Sequence, residues 1–199
     1  MQAIAVQVWN LTNQDPKRNL RISKTMSYLL RHGLKSSSFR VYKGGYVELD
    51  ELRQQLKIKL RIDITDQMIR EIVDTDHKKR YSIDGTKIRA NYGHSVEIDM
   101  FYSEKEPPRN LYHGTSHRSL PKIRKHGIRS MSRNYVHLSG EKETARKVGH
   151  RHGKPVVLIV DAKQMMRDGF SFFLSESNIW LTKSVPPHYI TNINNLKSE

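Results

Sequence analysis

Arg31 and His32 stand side by side at the end of an apolar-periodic stretch, SYLLRH, with Gly33 directly after them. A guanidinium and an imidazole at one helix end can grip an anion. They can equally cap the helix, because cations favour its negative carbonyl end and glycine commonly supplies a left-handed stop. On this stretch alone, capping is the simpler account. A second candidate is HGTS, residues 113–116. The pattern predicts a strand closing at His113 and a Gly114 that lets backbone approach a ligand. It also predicts a helix opened by Thr115 and Ser116, whose free N–H groups would suit a pyrophosphate. An ordinary strand-to-helix turn with a Ser/Thr cap explains the same residues. Arg80, Arg89 and Arg133 fall near predicted strands or strand ends. Arginine is suited to bidentate phosphate recognition, although each of the three by itself reads as solvated surface charge.

Other chemistries find no support. The ten histidines include HRHG at 150–153, but His150 and His152 do not share a helical face. HExxH is absent and no carboxylate stands at a ligand spacing, so no metal site is expected. Neither a Walker loop, a GxGxxG nor a GxSxG elbow occurs. Any nucleotide must be held in another way.

Charge narrows the partner. The 199 residues carry 35 Lys and Arg against 20 Asp and Glu, a formal net charge of +15. Such an excess suits a polyanion, nucleic acid before an anionic membrane. The absence of cysteine excludes disulfides and thiolate metal sites and fits a reducing cytoplasm. The longest apolar run, VVLIV at 156–160, is far too short to span a bilayer. The N-terminal MQAIAVQVWNLTNQ lacks a basic n-region and a cleavage pattern, so no secretory signal is expected. Its alternation suits a short strand or a loose arm.

Elements must position these side chains. Ser23 is the expected N-cap of a helix carrying Met26, Leu29 and Leu30, stopped at Gly33. YVELDELRQQLK reads as a short strand entering a second helix. TDQMIREIVDTD reads as a third, capped by Thr65 and burying Ile69, Ile72 and Val73. Asp84-Gly85 between two alternating runs predicts a hairpin. Three helices and a hairpin outline a winged helix, a common nucleic-acid-binding architecture. The polar YSEKEPPRN, residues 102–110, reads as a linker. Beyond it come a strand at LYHGTS, a helix at SLPKIRKHG stopped by Gly127, and a strand at YVHLS. A helix at GEKETARKVG, a buried strand at PVVLIVDA and β-rich segments to HYITNI complete the chain. The division is therefore 1–101, a 102–110 linker and 111–199, in an α+β fold.

Taken together, ISKTMSYLLRHG, DHKKRYSIDGTKIRANYGHSVEI, LYHGTS, RNYVHLS and SNIWLTKSVPPHYI resemble the NAD-dependent RNA 2′-phosphotransferases of KptA type, in order over about residues 22–190. The resemblance implies a winged-helix-like RNA-binding lobe, an ADP-ribosyltransferase-like NAD-binding lobe and an active site between them. It implies removal of an internal 2′-phosphate, as at a tRNA splice junction. The 2′-phosphate first attacks the NAD ribose, releasing nicotinamide and leaving an ADP-ribosylated RNA 2′-phosphate. ADP-ribose 1″,2″-cyclic phosphate then departs and a 2′-OH remains. By motif, Arg31, His32, Arg80 and Arg133 match the catalytic set. His113, Gly114, Thr115, His137 and Ser139 match the NAD site. NAD is consumed as a co-substrate and no metal is implied; the enzyme is expected to be a cytoplasmic monomer. Ile179 stands where other ADP-ribosyltransferases carry a glutamate and this family an aliphatic residue, usually valine. Tyr46 and Tyr92 stand where tryptophan and glutamine are usual. The alternative is an ADP-ribosyltransferase acting on protein or on nucleic-acid 5′-phosphate ends, without the second step. A non-catalytic winged-helix module would explain the charge but not the HGTS and VHLS half.

Overall fold

Asp15 and Pro16 start the first helix, well upstream of the expected cap at Ser23. Asp15 accepts a hydrogen bond from the Lys17 amide at 2.9 Å, and Pro16 fills a position that needs no donor. Ser23 is instead buried inside this helix, α1 (Pro16–Arg31), where Tyr81 Oη donates to its carbonyl at 2.8 Å. The structure, a computed structural model, describes residues 15–192, so the N-terminal stretch read above lies outside the described residues. These fall into two compact units that divide between Met100 and Phe101.

The first unit is built on α1, whose Ile22, Met26, Leu29 and Leu30 are fully buried. Truncating such a leucine typically costs about 2–5 kcal/mol. Strand β1 (Val47–Glu48) runs directly into α2 (Leu49–Leu60), which buries Leu52 and Leu56. Helix α3 (Asp66–Asp74) is capped as expected: Thr65 Oγ1 accepts from the Met68 amide at 3.2 Å, with Ile69 and Ile72 buried. The hairpin β2 (Tyr81–Asp84) and β3 (Lys87–Ala90) follows, with Asp84 paired to Lys87, so Gly85 and Thr86 form the turn. Gly85 adopts φ +57°, which a two-residue hairpin loop requires at its first position. The sheet order is β1-β3-β2. Gly33 is not a left-handed stop. A Cβ there would lie 3.0 Å from Leu29 backbone atoms, so close approach to the last turn selects glycine.

The second unit holds a five-stranded antiparallel sheet ordered β7-β4-β6-β9-β8. Its strands are β4 (Asn110–Ser116), β6 (Val136–Ser139), β7 (Pro155–Asp161), β8 (Phe173–Leu174) and β9 (Ile179–Thr182). A second sheet pairs β5 (Ile128–Arg129) with β10 (Ser184–Val185). Helices α4 (Leu120–His126), α5 (Lys142–Gly149) and α6 (Ala162–Arg167) connect them. The sequence reading missed α6, a short helix that Asp161 caps by accepting from the Gln164 amide at 3.0 Å. The residues read as a linker are tied down: the Lys105 amide donates to Phe172 O at 2.8 Å, and Asn110 already belongs to β4. Strand β7 buries alternate residues, Val156, Leu158 and Val160. All strand pairings among the described residues are antiparallel, compatible with α+β. Among them no helix is long and apolar enough to cross a membrane.

Candidate active site

Arg31 ends α1, and the turn 92–95 closes over it. The Ser95 amide donates to Arg31 O at 3.0 Å, and His32 Nδ1 and Ser95 Oγ share a 2.8 Å hydrogen bond. The Arg31 guanidinium lies over Tyr92, its Cζ 4.7 Å from the ring centroid. Gly93 has φ +88°, and a Cβ there would press to 3.4 Å from Arg31 Cδ and Nε, so glycine leaves room for this packing. Arg31 Nε and Nη2 are buried and meet no hydrogen-bond partner. Unsatisfied buried donors on a permanent cation are costly, and an incoming anion would satisfy them.

Arg80 stands beside the same turn, just ahead of β2, where its carbonyl accepts from the Asn91 amide at 2.8 Å. Asp76 fixes it: Nε lies 3.0 and 3.1 Å from the two carboxylate oxygens and Nη2 2.8 Å from Oδ1. The Arg80 amide also donates to Asp76 Oδ2 at 2.7 Å. The hydrogen bond to Asp76 raises the guanidinium's pKa further. Burial alone would raise the Asp76 carboxyl, but Arg80 and the backbone amides overcome it and hold the pKa below the usual range. Burial raises the Tyr92 pKa, opposed by the charge and hydrogen bond of Arg31 and by the charge of Arg80. His94, 3% exposed, is pushed down to about 4 by burial and by the charges of Arg31, His32 and Arg89. Thus the adjacent pair Arg31 and His32, and Arg80 from a distant motif, lie beside one turn.

Arg133, His113 and His137 gather in the second unit. Arg133 Nη1 donates to His137 Nδ1 at 2.9 Å. Because arginine has no acceptor, His137 Nδ1 must carry the lone pair. His113 Nδ1 donates to the His137 carbonyl at 3.1 Å, which leaves Nε2 as the acceptor of a neutral ring. Burial lowers the His113 pKa; the bond to His137 opposes this and the charges of His152 and Arg133 reinforce it. Ser139 ends β6, paired with Tyr112 on one side and Ile179 on the other.

HGTS differs from expectation. Gly114, Thr115 and Ser116 remain in β4, paired with Val157, Val156 and Pro155. Their backbone is engaged in a strand ladder, and the helical turn starts one residue later than expected, at His117–Ser119, with Ser116 as its N-cap residue but without a side-chain capping bond. Gly114 is explained by packing: a Cβ there would collide with the Ala145 carbonyl oxygen of α5. The sequence reading also missed Asp76 and Ser95. Asp76 lies four residues before Arg80, and Ser95 lies inside the quoted IRANYGHS motif. Among the described residues, no three His, Asp or Glu side chains converge as metal ligands.

The family model of the RNA 2′-phosphotransferases, Tpt1 / KptA family, matches residues 17–184. The chain belongs to that family. It is 43% identical over 178 residues to a probable RNA 2′-phosphotransferase of Nostoc punctiforme, covering 88% of this chain and 98% of the relative. A protein of the same description from Flavobacterium johnsoniae is 44% identical over 172 residues, 85% of this chain and 93% of the relative. The archaeal relative from Thermococcus kodakarensis, so described too, is 42% identical over 177 residues, 88% and 97% of the two chains.

Proposed function

We propose that this member of the family removes an internal 2′-phosphate from RNA, of tRNA splice-junction type, with NAD as the acceptor. It would act as a cytoplasmic monomer through a winged-helix-like lobe and an ADP-ribosyltransferase-like lobe. The observation that carries this reading is the placement of Arg31 and His32 on the turn 92–95, with Arg80 beside it, and with buried Arg31 Nε and Nη2 that lack a partner.

The donor set of the second unit fits a dinucleotide. His113, neutral and anchored through Nδ1, offers an Nε2 acceptor of the kind a ribose hydroxyl or a carboxamide N–H requires. His113, Gly114, Thr115, His137 and Ser139 would hold NAD, whose ribose C1″ supplies an electrophilic carbon with nicotinamide as leaving group. A phosphate monoester is largely dianionic at neutral pH, its second pKa being about 6. No general base is required to activate it, consistent with Ile179 at its position. Orientation and charge neutralisation suffice. Arg31 and Arg80 would clamp the 2′-phosphate oxygens by charge-assisted hydrogen bonds, and His32, oriented by Ser95, would complete the grip. Arg133, steadied on His137, would stabilise charge on phosphorus as the RNA 2′-oxygen leaves.

The test is an oligonucleotide with one internal 2′-phosphate, incubated with and without NAD and followed by mass spectrometry. NAD-dependent loss of the phosphate, with one nicotinamide released per RNA, is expected. Release of nicotinamide while the RNA keeps its phosphate would favour the ADP-ribosyltransferase reading, and inertness toward NAD would favour a binding module.

A further inference from the structure

The first unit carries a cationic face that the phosphate grip does not use. Strand β3 alternates buried Ile88 and Ala90 with outward Lys87 and Arg89. Lys87 Nζ lies 4.1 Å from the Tyr42 ring centroid, and Arg40 Cζ lies 5.2 Å from the same ring. Arg89 Cζ lies 4.8 Å from the Tyr46 ring. The loop that brings these rings in turns on Gly44 and Gly45, at φ +75° and +77°. Cations held over aromatic rings keep much of their charge available, because a ring attracts without neutralising. Neither the Arg40 guanidinium nor Lys87 Nζ forms an ion pair among the described residues, unlike Arg53, Lys57 and Arg80, although acids border the face: Glu51 Oε2 accepts from the Arg40 amide at 3.1 Å, and Glu48 and Asp84 stand opposite Lys87 in the ladders.

This face leads to the phosphate grip. A Cβ on Gly45 would lie 3.6 Å from His94 Nε2, and His94 feels the charges of Arg31, His32 and Arg89 together. Lys87 and Arg89 are one two-residue strand step apart, about 6.7 Å, on the scale of one nucleotide of extended backbone. Helix α3 offers the opposite environment. It carries Asp66, Glu71 and Asp74 against Arg70, and the depression between its start and the hairpin turn is lined by Glu48, Asp50, Glu51 and Asp66 with Arg70 and Thr86, so the acids outnumber the single cation. A polyanion is repelled there. In a winged-helix outline the third helix is the obvious reader of nucleic acid, so charge here argues against that use of the helix and not against the outline.

We propose that the RNA strand flanking the 2′-phosphate lies along the outer face of β3, with Arg40, Lys87 and Arg89 meeting successive phosphates, and not along α3. This rests on the reading of the substrate as RNA in the preceding section. Tyr42 and Tyr46 act as platforms that hold the cations in place, so little side-chain freedom is lost on binding.

Fluorescence anisotropy with a single-stranded oligoribonucleotide carrying one internal 2′-phosphate, and with its unphosphorylated twin, separates the possibilities across a salt series. The double variant Arg40→Ala/Lys87→Ala should weaken both RNAs by about tenfold or more and make the slope of log affinity against log salt shallower by about 1.4, two phosphate contacts on a single strand. Arg31→Ala should weaken only the phosphorylated RNA. Glu71→Gln/Asp74→Asn on α3 should change either affinity by less than about twofold, because on this proposal the strand does not run over α3. Should the double variant fail to fold, Arg40→Glu alone, at an exposed position, should still weaken both RNAs. An unchanged affinity and slope in the folded double variant overturns the track, as does a larger effect from the α3 pair. If the wild-type protein binds both RNAs through this face but never removes the phosphate, the functional reading fails and the track stands.

Discussion

Asp76 grips Arg80 with both carboxylate oxygens, at 2.8 to 3.1 Å from Nε and Nη2, and caps its amide as well. The carboxylate side chain is only 5% exposed and the arginine 26%. One acid therefore sets both the backbone and the side chain of a proposed catalytic cation. Asp76→Ala leaves Arg80 without an anchor. A loss of about 1–3 kcal/mol in stability is expected, with turnover of 2′-phosphorylated RNA falling by about a hundredfold. Asp76→Asn, which keeps the shape, should fall between. A folded Asp76→Ala enzyme turning over at the wild-type rate would show that Arg80 needs no such anchor.

Tyr92 does for Arg31 what Asp76 does for Arg80, through a ring face rather than a charge. Tyr92→Phe preserves that face and should retain kcat/KM within about threefold. Tyr92→Ala removes a contact worth about 1–2 kcal/mol and should lower kcat/KM by about tenfold, mostly through weaker binding of phosphorylated RNA. Equal losses in the two variants would mean that the hydroxyl, not the ring, positions Arg31.

How much of this arrangement was legible in the sequence follows a physical boundary. Local signals were read correctly where they act locally: Thr65 as a cap, the turn at Gly85, the stop at Gly127. Arg31, His32 and Arg80 stood out by residue type and by the resemblance. Their placement beside the turn 92–95 depends on tertiary packing, which spacing does not encode. At HGTS the helical start was legible and the strand's reach was not: β4 continues through Gly114 and Thr115 to Ser116, which is the N-cap residue of the turn His117–Ser119. What selects Gly114 is the carbonyl of Ala145 in a later helix, invisible to any local reading. Ser23 misled, since a serine inside an amphipathic helix resembles a cap until Asp15-Pro16 is recognised as the stronger start signal.

His94 makes stability depend on pH. Its folded pKa is about 4, against about 6.5 in an unfolded chain. Between these values the unfolded state binds a proton that the folded state does not. Stability is thus fully present above about pH 6.5 and falls as pH drops toward 4, by at most about 3 kcal/mol. His113 is shifted in the same direction and adds to the slope. Urea midpoints at pH 7.5 and 5.0 should separate clearly in the wild type and less in His94→Leu. Identical separations would mean that His94 is protonated in the folded protein.

Arg133→Ala should separate two chemical events. On the proposed mechanism, departure of nicotinamide would depend on charge at the 2′-phosphate, which Arg31 and Arg80 would neutralise. Expulsion of the RNA 2′-oxygen moves charge onto the phosphorus oxygens, and a donor aimed there helps mainly at that stage. Arg133 is suited to this role because His137 Nδ1 holds its Nη1 at 2.9 Å, orienting the guanidinium before any charge develops. Removing it should slow the second event by about a hundredfold and the first by much less. In a single turnover with NAD, nicotinamide should therefore appear well before RNA with a free 2′-OH, whereas the wild-type protein should release both together. His137→Ala, which leaves Arg133 in place without its orienting partner, should show a weaker form of the same lag. If Arg133→Ala instead slows nicotinamide release as much as RNA dephosphorylation, the arginine serves binding rather than the second event. If both proceed at the wild-type rate, its bond to His137 is structural, and the proposed role fails.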